Sequence, residues 1–310
     1  MTGVERIAAL CICGPTSAGK SDCALAAAIA VDGEIVNADS RQIYQGMRIG
    51  TGWPSDDAMR RVPHHLYGIV TPAERYSAGR FVDDAGSAIR SIARRGKLPI
   101  LVGGTGLYIE ALNGSMPMDR PTGDENVRLR VRAESRIHPH DVLCDWLTAI
   151  DSSAAARVGR NDRYRTLRAL EAALAKRQSS DDPNRQNADD IRLDIIVLSV
   201  SRDELRRRIR ERVETMIAAG LVAEALAVRA RWPDSPALTG IGFAEALAFA
   251  DGETTSRELF ARVVQRTTQY ASRQATWFRR MRDARVIEAD DVSHAALAAA
   301  AAARETRRTA

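Results

Sequence analysis

The sequence predicts an α/β fold in which helices flank a parallel sheet and an all-helical domain is inserted into the chain. Short apolar runs typical of strands alternate with Ala- and Leu-rich segments typical of helices, which favours a parallel sheet covered on both faces. A glycine-rich loop joins the first such strand to the first helix. Between residues 114 and 190 the strand patterns stop and charged helical segments replace them. Together these observations predict one sheet-based core with a helical insertion.

Four apolar segments are predicted to form the strands of the core, at residues 7–13, 34–37, 99–102 and 194–200. Helices are expected at about 20–30, from 107 onward, and at about 203–219. From Leu221 onward the chain is predicted to be helical, with its final Ala/Arg stretch frayed. We therefore assign 1–120 and 191–310 to the catalytic core.

The insertion is assigned to residues 121–190. Its charged segments at 126–136, 141–150 and 162–176 are predicted to be helices. The polar run 178–190 has no apolar period, so we expect a loop there.

Composition limits the classes of function. The chain has 310 residues and a net charge of +5, and nearly all its basic charge is arginine, because Lys20, Lys97 and Lys176 are the only lysines. Arginine suits the bidentate recognition of phosphate, so a phosphate-rich partner is permitted but not required. No apolar run is long enough to span a bilayer, and the N-terminal apolar run leads straight into the glycine loop, unlike a signal peptide. We expect a cytoplasmic monomer with no membrane partner.

Eight residues after the first strand match the phosphate-binding pattern G-x-x-x-x-G-K-[ST]: Gly14, Pro15, Thr16, Ser17, Ala18, Gly19, Lys20 and Ser21. The glycines let backbone N–H groups turn inward around a phosphate, and the start of the helix adds its positive dipole end. Lys20 supplies a positive charge, and the Ser21 hydroxyl is suited to Mg²⁺. The pattern predicts a P-loop NTPase-like core that binds phosphates. It does not distinguish an ATP-dependent kinase from a transferase that releases diphosphate.

Asp39 follows the second predicted strand, at the sheet edge where ligands bind in open α/β folds. A carboxylate there can hold Mg²⁺ or accept a proton from a nucleophile. It can equally well cap the turn or helix that follows. Position alone leaves these alternatives open.

Several collinear blocks resemble the tRNA dimethylallyltransferase (isopentenyl-tRNA transferase) family of bacterial type. The resemblance begins at Asp39-Ser40-Arg41-Gln42-Ile43-Tyr44 and extends over nearly the whole chain. Further matching blocks are Pro63-His64-His65-Leu66, Gly103-Gly104-Thr105-Gly106-Leu107-Tyr108, Asn161-Asp162, Arg168-Ala169-Leu170-Glu171, Arg208-Ile209 with Arg212, Ile241-Gly242-Phe243, Arg273-Gln274 and Thr276-Trp277-Phe278-Arg279.

The resemblance implies an activity. Members of this family transfer a dimethylallyl group from dimethylallyl diphosphate to the exocyclic amine of the adenosine 3′-adjacent to the anticodon, in tRNAs that read codons beginning with U. It implies that Asp39 is the general base, with Lys20 and Thr105 also in the catalytic site. It further implies that the glycine loop holds a diphosphate leaving group with Mg²⁺, and that Arg208 and Arg212 contact that diphosphate.

The resemblance also implies which residues contact the tRNA anticodon stem-loop. They are Asp39, Ser40, Arg41, Gln42, Thr105, Arg128, Tyr164, Arg165, Thr166, Leu167, Arg168, Arg273 and Gln274. From the residues alone, the basic helix around Arg165 could bind phosphate or simply be a solvated face. The pair His64-His65 could suggest a metal, but without further ligands at suitable spacing a structural role is favoured.

Three positions depart from the family pattern. Gly52-Trp53-Pro54 stands where many members have Ala-Lys-Pro, and Ala244 and Ser272 stand where lysine is common. Each departure removes a positive charge and so affects the expected contacts with the tRNA backbone. The rival hypotheses are a small-molecule or nucleotide kinase, an RNA-binding regulator without turnover, and a prenyltransferase that acts on free AMP.

Overall fold

The computed structural model describes residues 6–114, 125–176, 190–281 and 283–308. Six of its strands form one sheet: β1 (Ile7–Cys13), β2 (Glu34–Asn37), β3 (His64–His65), β4 (Pro99–Gly103), β5 (Ile191–Ser199) and β6 (Arg285–Glu288). Their order across the sheet is β3-β2-β4-β1-β5-β6, and every neighbouring pair is parallel. The predicted α/β class with a parallel, helix-flanked sheet is confirmed.

Helices connect the strands and cover the sheet. They are α1 (Lys20–Val31), α2 (Arg48–Thr51), α3 (Asp56–Arg61), α4 (Ala78–Arg94), α5 (Gly106–Leu112), α6 (Glu125–Ile137), α7 (His140–Ile150), α8 (Ser152–Val158), α9 (Arg163–Lys176), α10 (Arg202–Ala218), α11 (Leu221–Arg231), α12 (Phe243–Ala250), α13 (Ser256–Phe278) and α14 (Val292–Arg308). Among the described residues, no helix combines the length and the apolar character that a membrane crossing requires.

The centre of the sheet is apolar on both faces, as parallel sheets covered by helices require. In β1 every residue from Ala8 to Cys13 is buried, and Leu10 pairs in register with Ile100 of β4 and Asp194 of β5. Because β1, β2 and β4 run parallel, their carboxyl ends meet at one edge of the sheet. The phosphate loop, Asp39 and Thr105 follow those three ends.

Two strands were not predicted, and a third begins earlier than predicted. β3 has two residues, and β6 buries only Ile287, so neither has the apolar pattern that marks a strand. Both lie at the edges of the sheet, where pairing with a single neighbour suffices. β5 begins at Ile191 rather than at 194, because Ile191 and Leu193 face the core with exposed Arg192 between them.

The expectation that the C-terminal stretch frays is wrong for residues 292–308. These residues form α14, which packs along α1. Ala295, Ala299 and Ala303 are fully buried, in one cluster with Ala24 and Ala27 of α1. Small side chains on both helices let the two backbones approach closely, so a sequence that looks featureless builds a tight interface.

The chain divides into two compact units, Met1–Ser115 with Asn187–Ala310, and Met116–Gln186. The second unit contains α6 to α9 and has its own core, with Val131, Leu143 and Leu170 at its centre. Within it, α8 was not predicted; it is a short helix of seven residues, capped at its start by the Asp151 carboxylate, which accepts from Ala154 N–H. The loop predicted at 178–190 lies outside the described residues, except Asp190.

Candidate functional site

A cavity of about 600 Å³ opens at the carboxyl edge of the sheet in the first unit. One part of its wall is polar and carries the phosphate loop, Asp39, Arg208 and Arg212. Another part is apolar and includes Met47, Val213, Met216, Ile241, Phe243 and Val263. The cavity therefore offers both an anion site and a hydrocarbon site.

The phosphate loop lies between β1 and α1, as the sequence predicts. Ala18 N–H donates to Pro15 O (3.2 Å), which closes the loop, and Lys20 Nζ donates to the same carbonyl (2.8 Å). Burial lowers the pKa of Lys20 to about 8; the negative charge of Asp39 opposes this shift and the positive charge of Arg212 adds to it. A bound anion would favour the protonated ammonium, so anion binding and the charge of Lys20 are linked.

Arg208 is held by three hydrogen bonds on the side of the cavity that faces the loop. Its Nε donates to Glu204 Oε1 (2.6 Å), and its Nη2 donates to the carbonyls of Ala289 (2.8 Å) and Asp290 (2.7 Å). The side chain is only 12% exposed, and its buried Nη1 has no partner in the described part of the chain. That nitrogen lies 4.0 Å from the position that a Cβ on Gly19 would occupy. The unused donor is therefore directed to the phosphate loop.

Arg212 lies one helical turn further along α10, beside the turn that follows α2. Its Nη2 donates to Thr51 O (3.1 Å), and burial lowers its pKa. A Cβ on Gly52 would lie 2.2 Å from that Nη2, so glycine at this position makes room for the guanidinium. Glu224 holds α2 itself by accepting from the N–H groups of Ile49 and Gly50, both at 2.8 Å. Glycine at position 52, where many family members have alanine, thus leaves space for the Arg212 side chain.

The turn that carries Asp39 is fixed by Asn37, the last residue of β2. Asn37 Oδ1 accepts from Asp39 N–H (2.9 Å), and Asn37 Nδ2 donates to Leu66 O (3.0 Å). The Asp39 carboxylate accepts from Arg41 N–H through Oδ1 (2.8 Å), which is the turn-capping role left open above. Within the described chain its second oxygen, Oδ2, accepts no hydrogen bond. One oxygen therefore orients the carboxylate and the other is available to a substrate.

Thr105 joins the ends of β2 and β4. Its Oγ1 accepts from Ser40 N–H (3.0 Å) and donates to Ser40 Oγ (3.2 Å), while its N–H donates to Ala38 O (3.3 Å). These bonds hold Thr105 directly beside the Asp39 turn. The structure thus places Thr105 beside Asp39 and Ser40 at this edge of the sheet.

The apolar wall was largely missed from the sequence. Met47, Val213 and Phe243 are almost fully buried, and Met216 is half-buried. One signal was present: Arg208, Arg212 and Met216 recur every four residues, so they share a face of α10. The face of α10 that carries Arg208 and Arg212 therefore also supplies Met216 to the apolar wall.

Some residues predicted to contact tRNA are accessible in the first unit, and one is not. Arg273 is exposed on α13, and Arg41 is half-buried at the cavity. Gln42 is also half-buried there, and its Nε2 donates to the carbonyls of Thr51 (3.1 Å) and Gly52 (2.8 Å). Gln274 is only 5% exposed, and both ends of its amide are hydrogen-bonded within the chain. The Gln274 side chain is therefore engaged inside the fold, and its predicted tRNA contact stays a prediction.

The helical unit presents an aromatic and basic face on α9. Tyr164 is 73% exposed, and the side chain of Arg165 is 67% exposed with Asp162 as a weak ion-pair partner at 3.4 Å. Arg168 is paired with Glu171, Leu167 packs against the core of the unit, and Arg128 is half-buried. Thr166 is fully buried and donates to Asp162 O (2.9 Å), so its side chain is engaged inside the unit, and its predicted tRNA contact stays a prediction.

The two adjacent histidines have structural partners. His64 Nδ1 lies 2.7 Å from Val62 O, and His65 Nε2 lies 2.7 Å from Glu34 Oε2. Among the described residues no group of three or more His, Cys, Asp or Glu side chains could hold a metal ion. Oxygen donors do line the cavity beside the phosphate loop, namely the Ser21 hydroxyl and the carboxylates of Asp22 and Asp39.

Comparisons with known proteins agree on one family. The IPP transferase family model matches residues 42–281. A tRNA dimethylallyltransferase of Halorhodospira halophila is 43% identical over 290 residues, which cover 91% of this chain and 93% of the relative. One of Geobacter sulfurreducens is 43% identical over 275 residues, covering 86% and 87%.

Solved structures give the same result. The full-length tRNA isopentenylpyrophosphate transferase of Bacillus halodurans has a TM-score of 0.69 at 32% identity and covers 98% of this chain and 99% of its own. A eukaryotic dimethylallyltransferase acting on tRNA has a TM-score of 0.74 at 26% identity, covering 92% and 75%.

Proposed function

This chain belongs to the IPP transferase family, and from that premise we propose that it transfers a dimethylallyl group from dimethylallyl diphosphate to tRNA. The acceptor is the exocyclic amine of the adenosine 3′-adjacent to the anticodon, in tRNAs that read codons beginning with U. One observation carries the proposal: a single cavity has an anion cradle on one side, the oriented Asp39 carboxylate at the sheet edge, and an apolar wall.

In the proposed reaction the adenine amine attacks C1 of the dimethylallyl group. The new C–N bond forms as the C–O bond to diphosphate breaks, and diphosphate leaves with the bonding electron pair. The amine is a poor nucleophile because its lone pair is delocalised into the ring. Asp39 Oδ2 takes one amine proton as the C–N bond forms, so the product is a neutral secondary amine.

Negative charge builds up on the leaving diphosphate, and preorganised donors must stabilise it. The phosphate loop and Lys20 line that part of the cavity, and Arg208 Nη1 is a donor without a partner beside the loop. Arg212 adds a second buried guanidinium. Since these cations are desolvated before substrate arrives, an anion there interacts with them more strongly than it would in water.

The donor set beside the phosphate loop suits Mg²⁺, which prefers oxygen ligands and is commonly held by few protein groups together with substrate phosphates. Ser21 is the residue that would hold it, with Asp22 and Asp39 on the same cavity wall. When bound, the ion would neutralise part of the diphosphate charge. Activity that depends on magnesium is therefore part of the proposal.

The acceptor side requires an unstacked base. Bases in single-stranded loops can be splayed out at modest cost, and proteins read them by stacking and hydrogen bonds. Thr105 and Ser40 lie beside Asp39, where the base would enter, and Arg41 and Gln42 follow. In the helical unit, Tyr164, Arg165 and Arg168 offer stacking and phosphate contacts to the anticodon stem-loop. We propose a monomer that acts in the cytoplasm.

The experiment that tests this function is a transfer assay. Purified protein is incubated with magnesium, labelled dimethylallyl diphosphate and unmodified tRNA, and in parallel with AMP or with ATP and no prenyl donor. We expect label in one adenosine of the tRNA with stoichiometric release of diphosphate. Label in AMP alone would instead support the prenyltransferase for free nucleotide, ATP consumption would support a kinase, and tRNA binding without turnover would support a regulator.

A further inference from the structure

Gln274 lies on α13 and bridges two loops that are far apart in sequence. Its Oε1 accepts from Thr16 N–H in the phosphate loop (2.8 Å). Its Nε2 donates to Gly104 O, next to Thr105, also at 2.8 Å. The side chain is only 5% exposed, and 258 and 170 residues of chain separate it from these two partners. One amide thus spans the loop at the end of β1 and the loop at the end of β4.

The local structure is built around this amide. A Cβ on Gly104 would lie 2.3 Å from Gln274 Nε2, so glycine at 104 lets the side chain reach the carbonyl. Only a group that accepts at one end and donates at the other satisfies both partners. A buried polar group left without its hydrogen bond costs about 1–3 kcal/mol, so the pairing resists displacement.

The two loops serve different halves of the proposed reaction. The phosphate loop belongs to the prenyl diphosphate, whereas Gly104 leads into Thr105, which is bonded to Ser40 beside Asp39. A change in the spacing between the loops would move the leaving group relative to the base that accepts the proton. Displacements of about 1 Å in reacting groups can lower rates about 100-fold.

We propose that Gln274 is a positioning residue that sets the distance between the diphosphate cradle and the Asp39–Thr105 edge, and that it does not bind tRNA. The inference rests on the proposed function for its effect on turnover. Its structural part, that the amide anchors Thr16 N–H, holds independently of any substrate.

Turnover of two variants tests the role. Gln274→Met has a similar volume and neither hydrogen bond; we expect kcat to fall about 10- to 100-fold with KM for tRNA within about 2-fold. Gln265→Met is the matched control, because Gln265 is exposed on the same helix, and it should behave as wild type. A raised KM for tRNA with unchanged kcat in Gln274→Met would overturn the proposal in favour of a tRNA contact.

Gln274→Glu adds a pH signature that a loss of folded protein would not produce. The neutral acid can accept from Thr16 N–H and donate its O–H to Gly104 O, whereas the carboxylate cannot donate. Burial raises the pKa of a carboxyl group, so the neutral form is populated at the acid end of the assay range. We expect the ratio of variant to wild-type kcat to rise by up to about 10-fold per pH unit as pH falls toward that pKa, and to level off below it. A ratio that is flat with pH contradicts the proposal.

Amide hydrogen exchange decides the structural part without substrate. In Gln274→Met, exchange of Thr16 N–H should be at least about 10-fold faster than in wild type and in Gln265→Met, since an amide that loses its partner opens more readily. Equal protection in all three proteins would overturn the anchoring role. A wild-type protein that fails to prenylate tRNA would refute the proposed function. The exchange of Thr16 N–H would still test whether Gln274 anchors the loop, because it needs no substrate.

Discussion

The cations of the cavity and the cations of α9 differ in their surroundings. Lys20, Arg208 and Arg212 are largely removed from water and are held by defined partners, and burial lowers the pKa values of Lys20 and Arg212. Arg165 on α9 is largely exposed and has only a weak ion-pair partner. Charges in a dry site act strongly on a substrate and are little screened by salt, whereas exposed charges contribute modest, salt-dependent affinity. Under the proposed function, the first region therefore suits the chemistry and the second suits electrostatic capture of RNA.

The largest effect is expected from Asp39→Asn. The amide oxygen can still accept from Arg41 N–H, so the turn is kept, but the side chain can no longer take a proton. We expect kcat to fall about 100-fold or more while tRNA affinity changes by less than about 2-fold. Asp32→Asn, at an exposed helix end, is the matched control and should be fully active. Unchanged turnover in Asp39→Asn would remove Asp39 from the role of base.

The charge of Lys20 should make diphosphate binding pH-dependent. Because burial lowers its pKa to about 8, the ammonium is protonated below pH 8 and is lost as pH rises through that value. We expect the affinity of the protein for inorganic diphosphate to fall by up to about 10-fold per pH unit above pH 8. Calorimetric titrations of wild type and Lys20→Met isolate this contribution from the titration of the ligand itself. Equal pH dependence in the two proteins would show that Lys20 does not supply it.

Gly52→Ala should weaken diphosphate binding by a smaller factor. The new Cβ would overlap the guanidinium of Arg212, which must move, and the φ of +65° at Gly52 adds backbone strain for any residue with a Cβ. We expect the Kd for diphosphate to rise about 3- to 10-fold, less than the loss of a full charge-assisted hydrogen bond, because the guanidinium is displaced and not removed. The free energy of unfolding should fall by about 1–2 kcal/mol because of the left-handed φ, so Kd is measured well below the melting temperature of the variant. An unaltered Kd would mean that Arg212 does not contact the ligand.

The smallest effect per residue is expected on α9. Arg165→Ala should raise the Kd for tRNA a few-fold and reduce the slope of log Kd against log salt by about 0.7–0.9, as loss of one phosphate contact does. Arg165→Lys keeps the charge and should keep the slope. Turnover at saturating tRNA should be unchanged in both. A salt slope that is the same in all three proteins would exclude Arg165 from the RNA contact.

Local patterns in the sequence predict the sheet-based core and the polar part of the site. The phosphate loop, Asp39 and Thr105 could be placed because each directly follows an apolar strand, and parallel strands end at one edge. β3 and β6 could not, because edge strands need little apolar pattern. The packing of α14 could not be predicted, because an alanine-rich segment has no apolar pattern of its own and is buried only against the equally small residues of α1.

Side-chain networks were the least predictable part of the site. Asn37 and Gln274 act through partners on other elements, up to 258 residues away, so no local pattern marks them. Gln274 and Thr166 were predicted to contact tRNA, yet both side chains are buried and hydrogen-bonded within the fold. A motif locates a segment near a substrate, and only the structure distinguishes the side chains that face it from those that hold it.

Nucleoside analysis of cellular tRNA tests whether the cradle and the Asp39 carboxylate act together on a tRNA base. Bulk tRNA is digested from cells that lack this chain and from the same cells after wild type or Asp39→Ala is restored. We predict that isopentenyladenosine is missing without the chain, returns with wild type, and does not return with Asp39→Ala. Isopentenyladenosine that persists without the chain, or that returns equally with Asp39→Ala, would contradict that joint role.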